Sequence, residues 1–224
     1  MGEMLVLGDS LVFGRPKYGI CRDLTWPYIV SKELHFQLQV RAHGGSSIVD
    51  VAKESRFLND YWFKGLNARR FDVAFVQVGI VDCCPRLAPK SIYRYMKRIP
   101  GFAKLERCSI AYDSIGRPWT SKERFHAALL DLVESLSCIA KATFFVQIAN
   151  PVNHLVENVG DFSATVADYN EIIKEVVGSE FLVNWQVVDS GKMHILADGH
   201  HLTTLGHKKV GNSCLDKYKN WLLG

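Results

Sequence analysis

The sequence predicts an α/β fold: a single three-layer α/β/α sandwich around a mostly parallel, five-stranded sheet, flavodoxin-like in its layering. Three observations lead there. Short apolar runs rich in β-branched residues alternate with longer segments of helical spacing. Glycines stand where strands hand over to helices, at Gly8, Gly44-Gly45 and Gly79. The chain has 224 residues, no internal repeat and no linker-like stretch, which suits one domain over residues 1–224.

Taken in order, Met4–Gly8 is an apolar run ending in Gly-Asp-Ser and reads as a buried first strand. Trp26–Leu34 has helical spacing, and Gln37–Ala42 alternates through Leu38, Val40 and Ala42 as a second strand. Ile48–Leu58 is helical; Asp72–Val78, with three valines, is a third strand. Ser121 caps a helix reaching Ala140, although Arg124 stands where a capping box would have Glu. Thr143–Ile148 and Phe181–Val188 are the fourth and fifth strands, separated by a helix over Ser163–Val177. Thr203 and Thr204 open a last helix toward Trp221. Between the third strand and Ser121 lies a basic helical insertion, at about residues 83–120.

Hydrophobic residues at 48% and charged residues at 22% exclude a disordered or fibrous chain. No apolar run approaches the ~20 residues that span a bilayer, so no transmembrane segment is expected. Met1–Leu7 lacks the positive n-region of a secretory signal, and a cytoplasmic location is the expectation. The six cysteines show no CxxC spacing, and Cys83 and Cys84 are adjacent, so they read as reduced thiols.

A net charge of +4 is too mild to imply nucleic acid. Its distribution says more. Residues 83–108 carry seven Lys or Arg against Glu106 alone, a net +6 that leaves −2 for the rest. Within them Ile92, Tyr95, Met96 and Ile99 fall at i, i+3, i+4 and i+7, with Lys90, Arg94, Lys97 and Arg98 on the other side. That is a short amphipathic helix over residues 90–99, entered at Pro89 and stopped by Pro100-Gly101. It is either a solvated face or a contact for an anionic substrate, a membrane surface or a partner.

In such sheets the chemistry gathers at the carboxyl ends of the strands. Ser10, following Gly8-Asp9, can project its hydroxyl there. Asp198-x-x-His201 can place a carboxylate against an imidazole, fixing its tautomer. Gly44-Gly45-Ser46-Ser47 and Gly79-Ile80-Val81-Asp82 are turns whose backbone N–H groups can approach a reacting centre. No HExxH, paired-cysteine, Walker or GxGxxG pattern is present, so neither a metal nor a cofactor is expected.

Together these pieces resemble the SGNH, or GDSL-type, hydrolase family. Gly8-Asp9-Ser10-Leu11 and Asp198-x-x-His201 match literally, in order and near the two ends. Trp26-Pro27 and the glycine-plus-Asp pair Gly79/Asp82 also stand where family members have them. The resemblance implies that Ser10 attacks an ester carbonyl, His201 moves the proton and Asp198 orients His201. It implies an oxyanion held by the N–H of Ser10 and of Gly45, or Gly44, with no cofactor. It implies a small acyl ester, most favourably an O-acetyl group on a carbohydrate, as substrate. An O-acyltransferase using the same triad, or a catalytically weak binding protein on this fold, are the alternatives.

One departure stands out. The family's third block reads Gly-x-Asn-Asp, its Asn being a side-chain oxyanion donor; here Val81 occupies that position. Losing one such donor costs roughly 10²–10³ in rate. His43, Asn150 or Asn153 replaces it, two backbone donors suffice, or catalysis is weak. Asp9, Gly79, Val81, Asp82, Arg86 and Asn150 are the residues expected along the substrate. Asp82 serves more naturally to bond loop backbone, and Arg86 to grip a carboxylate or phosphate.

Overall fold

The computed structural model describes residues 2–63, 71–106, 108–152, 154–185 and 191–224. Its strands are β1 (Glu3–Gly8), β2 (Gln37–Ala42), β3 (Val73–Gln77), β4 (Pro85–Arg86), β5 (Arg117–Pro118), β6 (Thr143–Val146) and β7 (Leu182–Val183). Five of them form one parallel sheet in the order β2-β1-β3-β6-β7, while β4 and β5 pair as a separate antiparallel ribbon. The chain starts on β1, one strand in from an edge, adds β2 on one side and β3, β6 and β7 on the other, and, all five being parallel, puts every strand's carboxyl end on one rim.

Helices α1 (Trp26–Leu34), α2 (Ile48–Phe57), α3 (Ile80–Cys83), α4 (Lys90–Met96), α5 (Phe102–Leu105) and α6 (Ser109–Ile115) precede the two-residue β5. After it come α7 (Lys122–Ser137), α8 (His154–Val159), α9 (Ser163–Val177), α10 (Gly191–His194) and α11 (Thr204–Leu223). Strand alternation divides the core in two. Leu5, Leu7, Ala74, Val76 and Phe145 pack with α2, α7 and α9 through Ile48, Leu129, Leu132, Val166 and Ile173. Met4, Val6, Val73, Phe75, Phe144 and Val146 face α1 and α11, meeting Trp26, Val30, Val210 and Cys214. Full burial of each such side chain is worth roughly 1.5–3 kcal/mol. On this second face Phe75 stacks on Phe144 at 5.5 Å, with Trp26 edge-on to Phe75 at 6.1 Å.

Helices α1 and α9 and strand β2 have the bounds the sequence predicts; other ends differ for local reasons. The fourth strand stops at Val146 because the Asn170 amide on α9 takes both backbone groups of Ile148, each at 2.9 Å. Helix α7 is capped by Ser121, whose Oγ accepts from Arg124 N–H at 3.3 Å. It ends at Ser137, not Ala140, because Ile139 and Lys141 exchange backbone hydrogen bonds with Phe71. The fifth strand is only Leu182–Val183; residues 186–188 of the predicted strand lie outside the described ones.

The segment between α3 and α7 differs most. Its helix is α4, shorter than the predicted residues 90–99. The stripe of Ile92, Tyr95 and Ile99 is exposed. Tyr93 anchors the helix instead, edge-on to Trp119 at 5.1 Å and to Phe102 at 6.0 Å, with its hydroxyl donating to Glu106. Apolar spacing alone does not say which face of so short a helix meets protein.

Candidate active site

Strand β1 delivers Ser10 to the rim. A Cβ at Gly8 would lie 2.4 Å from the Gln77 carbonyl oxygen, so only glycine lets β1 end against β3 there. Asp9 N–H donates to that same carbonyl at 3.2 Å. The Asp9 carboxylate accepts from Leu11 N–H at 2.9 Å and so starts the 3-10 turn Ser10–Val12. Ser10 is left half-buried at the top of the sheet.

The turn before α11 brings its partners from 191 residues away. Ser10 Oγ lies 2.9 Å from His201 Nε2, and His201 Nδ1 lies 2.8 Å from Asp198 Oδ2. The other oxygen of Asp198 accepts from the backbone N–H of His201 at 3.0 Å and of His200 at 3.2 Å. A carboxylate at Nδ1 holds the proton on that nitrogen, so Nε2 is the accepting nitrogen and faces the serine. Burial pushes the Asp198 carboxyl up, but hydrogen bonds from the His201 ring and backbone outweigh it and hold it well below the usual range. It therefore stays ionised at neutral pH.

Asp198, His200 and His201 bring possible ligand atoms within 4.8 Å of one another. Both ring nitrogens of His201 are already engaged, by Asp198 and Ser10, so the cluster is arranged as a proton relay. Burial, then the neighbouring His201 ring, pull His200 down to about 4 and keep it neutral. Burial likewise raises the Cys83 thiol well above its ordinary value, which removes it as a nucleophile.

The loop over residues 43–47 completes the rim. His43 N–H donates to Gly8 O at 3.2 Å, tying the loop to β1. Gly45 adopts φ 78°, and Gly44 and Gly45 face open space. Among the described residues the N–H groups of Ser10, Gly44 and Gly45 donate to no protein acceptor. The far end of the loop is held by Asp82, which accepts from Ile48 N–H at 3.0 Å and from Thr120 Oγ1 at 2.5 Å.

Several expected substrate contacts lie elsewhere. Gly79, Val81 and Asp82 are buried because α3 turns inward directly after β3, and Asp9 is buried at the end of β1. Val81 belongs to the apolar core on the α2 side. Gly79 takes φ 126°, and a Cβ there would lie 2.3 Å from Ile148 Cδ1. These four build the wall under the site rather than its surface. Arg86 is half-buried, its guanidinium 4.9 Å over the Trp119 ring. Asn150 is exposed on a loop joined to the Asp198–His201 turn through Val152 N–H and Gly199 O, at 3.3 Å. His43 is exposed, and Asn153 lies outside the described residues.

Arg15 is the residue the motifs did not flag. Its backbone carbonyl accepts from Tyr18 and Ile20 N–H, at 2.8 and 3.2 Å, which fixes a tight loop just past Ser10. Its guanidinium Nη2 donates to His201 Nε2, the atom that also faces Ser10 Oγ. The signal available in the sequence was a lone arginine five positions after the serine, which no pattern distinguishes from a surface cation.

The buried carboxyl of Asp9 has a consequence for stability. Burial pushes it up to about 7, against the pull of Leu11 N–H, and among the described residues its Oδ2 has no partner. A folded value above the unfolded one of about 3.9 means that stability is full below pH 4 and is lost as pH rises through 7. His200 and His207, both lowered to about 4, act in the opposite sense. The expected result is therefore a difference between proteins. From pH 5 to pH 8 the wild type loses roughly 2 kcal/mol relative to Asp9→Asn, read by urea unfolding at both pH values. Parallel curves for the two proteins would contradict this assignment.

The fold is like that of solved structures described as G-D-S-L family lipolytic proteins and esterases. No family model matches the sequence, and no curated protein does. Solved structures do match, over nearly the whole chain. One is described as a lipolytic protein of the G-D-S-L family from Desulfitobacterium hafniense, at TM-score 0.61 and 13% identity over 97% of this chain and 99% of that one. Esterase EstA from Pseudoalteromonas sp. matches at TM-score 0.59 and 15% identity over the full length of both. Axe2, an acetylxylan esterase from Geobacillus stearothermophilus, matches at 0.58 and 15%, covering 97% of this chain and 95% of its own.

Proposed function

We propose that the protein is a serine ester hydrolase acting on a small acyl ester. The single observation that carries this is the continuous relay from Ser10 Oγ through His201 to an ionised Asp198, opening on unoccupied backbone donors. Ser10 Oγ attacks the carbonyl carbon while its proton passes to His201 Nε2. The oxyanion is held by the N–H groups of Ser10 and of Gly45 or Gly44. Arg15 supplies the side-chain donor that Val81 cannot: its guanidinium leaves Nε2 as the carbonyl oxygen arrives and moves onto that oxygen. Collapse of the intermediate breaks the C–O bond, and the departing alkoxide takes the proton from His201. Water then repeats the sequence on the acyl-enzyme, releasing the acid and free Ser10.

A carbohydrate O-acetyl ester is the substrate class we favour, and the likeness to an acetylxylan esterase supports it. A hydroxyl in place of water would make the same acyl-enzyme a transferase intermediate. Release of p-nitrophenol from p-nitrophenyl acetate, followed with and without an added sugar alcohol, tests the reading. Hydrolysis with free acetate as product is the expected result. Acetyl found on the sugar would favour transfer, and no acyl release under either condition would contradict both.

A further inference from the structure

The ribbon β4–β5 and the first turns of α2 and α7 enclose a cleft of about 570 Å³. Its charged lining is Lys53, Arg86, Lys90, Arg117 and Arg124 against Asp50 alone, a net +4 that equals the formal charge of the whole chain. Lys90 is engaged by Asp50, and it also donates to Ser47 Oγ at 3.3 Å. Among the described residues the other four cations have no carboxylate partner. Arg86 is held over Trp119, whose indole N–H donates to Ala88 O at 2.8 Å, and the Arg86 Nε is buried with no acceptor among the described residues. Like charges gathered in a concave site without counter-charge repel one another, a cost that an anionic ligand removes.

The cleft shares wall residues with the support of the Gly44–Gly45 loop. Ser47, on its wall, ends the loop that carries Gly44 and Gly45, and Thr120, also on its wall, donates to the Asp82 that pins this loop. On the other side, the Arg86 charge reaches His200, next to His201. A volume of this size suits a sugar-phosphate-sized molecule. Four uncompensated cations suit more than one negative charge, since a single carboxylate would leave most of them unpaired.

We propose that this cleft binds a phosphate-bearing small molecule, with Arg86, Arg117, Arg124 and Lys53 meeting its phosphate oxygens. Calling that molecule the ester substrate, or the donor in a transfer, rests on the reading of Ser10 given above; the anion site itself does not.

Isothermal titration of the full chain with pyrophosphate, inorganic phosphate and acetate tests it. Pyrophosphate binds tightest, phosphate more weakly and acetate not measurably. The double variant Arg117→Gln/Arg124→Gln weakens pyrophosphate binding tenfold or more. Lys208→Gln/Lys209→Gln removes the same charge from the exposed face of α11 and changes binding less than twofold. Thermal melts show whether the variants remain folded, and the Lys pair reports on net charge even if the Arg pair does not fold. Ser10→Ala binds pyrophosphate like the wild type. No pyrophosphate binding, equal binding of acetate, or equal weakening in both double variants overturns the proposal. Hydrolysis of p-nitrophenyl acetate without pyrophosphate binding removes the cleft alone. Pyrophosphate binding that the Arg pair abolishes, in a chain without ester turnover, keeps the cleft and removes the esterase reading.

Discussion

Ser10→Ala and His201→Ala each lower turnover of p-nitrophenyl acetate by at least about 10³-fold, and combining them costs little more. The size follows from what each removal leaves. Without Oγ there is no acyl-enzyme; without the imidazole ring's Nε2, 2.9 Å from Oγ, the serine keeps its proton. The two residues act as one unit, so their losses do not add. Arg15→Met is expected to lose less, about 10²-fold, because it removes one oxyanion donor and leaves the nucleophile intact. The loss falls on kcat rather than KM, since the oxyanion exists only in the transition state and the tetrahedral intermediate. An Arg15→Met enzyme with unchanged kcat would show that two backbone donors suffice.

Asp82→Ala destabilises the fold by about 3–5 kcal/mol and lowers turnover, while Asp82→Asn restores most of both. Asp82 is fully buried, and burial pushes its carboxyl up to about 7. It accepts from Ile48 N–H and Thr120 Oγ1, so it ties the start of α2 to Thr120, two positions before α7. Truncation leaves two buried donors without an acceptor, at roughly 1–3 kcal/mol each, and adds a small cavity. For a chain of this length that is on the order of a 10 °C fall in melting temperature. The activity loss is positional: the loop carrying Gly44 and Gly45 runs directly into the helix start that Asp82 holds. Asn keeps one acceptor oxygen and removes a charge that the site disfavours. A melting temperature unchanged in Asp82→Ala, or no rescue by Asn, would contradict this role.

How much of this was legible in the sequence varies with the kind of information required. Strand β2 and helices α1 and α9 follow from local periodicity, and their bounds are readable because each meets a clear break. The end of β6 is not local: it depends on Asn170 reaching back to Ile148 from the next helix. The exposed stripe on α4 shows the same limit, since an apolar period names a face without naming its partner.

The site divides along the same line. Ser10, Asp198 and His201 sit in short motifs, and the structure brings all three together. Asp82 was named, yet its contact with Ile48 crosses 34 positions and only the fold shows it. Val81 was placed along the substrate, but the inward turn of α3 puts it in the core. Arg15 carried no motif at all; only the loop closed on Tyr18 and Ile20 N–H aims it at His201. The basic run over residues 83–108 announced its charge, whereas the cleft also draws on Lys53, Arg117 and Arg124 from outside that run.

The most direct test of the central claim is covalent labelling of the wild type with a fluorophosphonate, read by intact mass and peptide mapping. This reagent reports an activated serine without needing the natural acyl group. The account predicts one adduct per chain, on Ser10, lost in His201→Ala. An unlabelled wild type, or an adduct on any other residue, would contradict it.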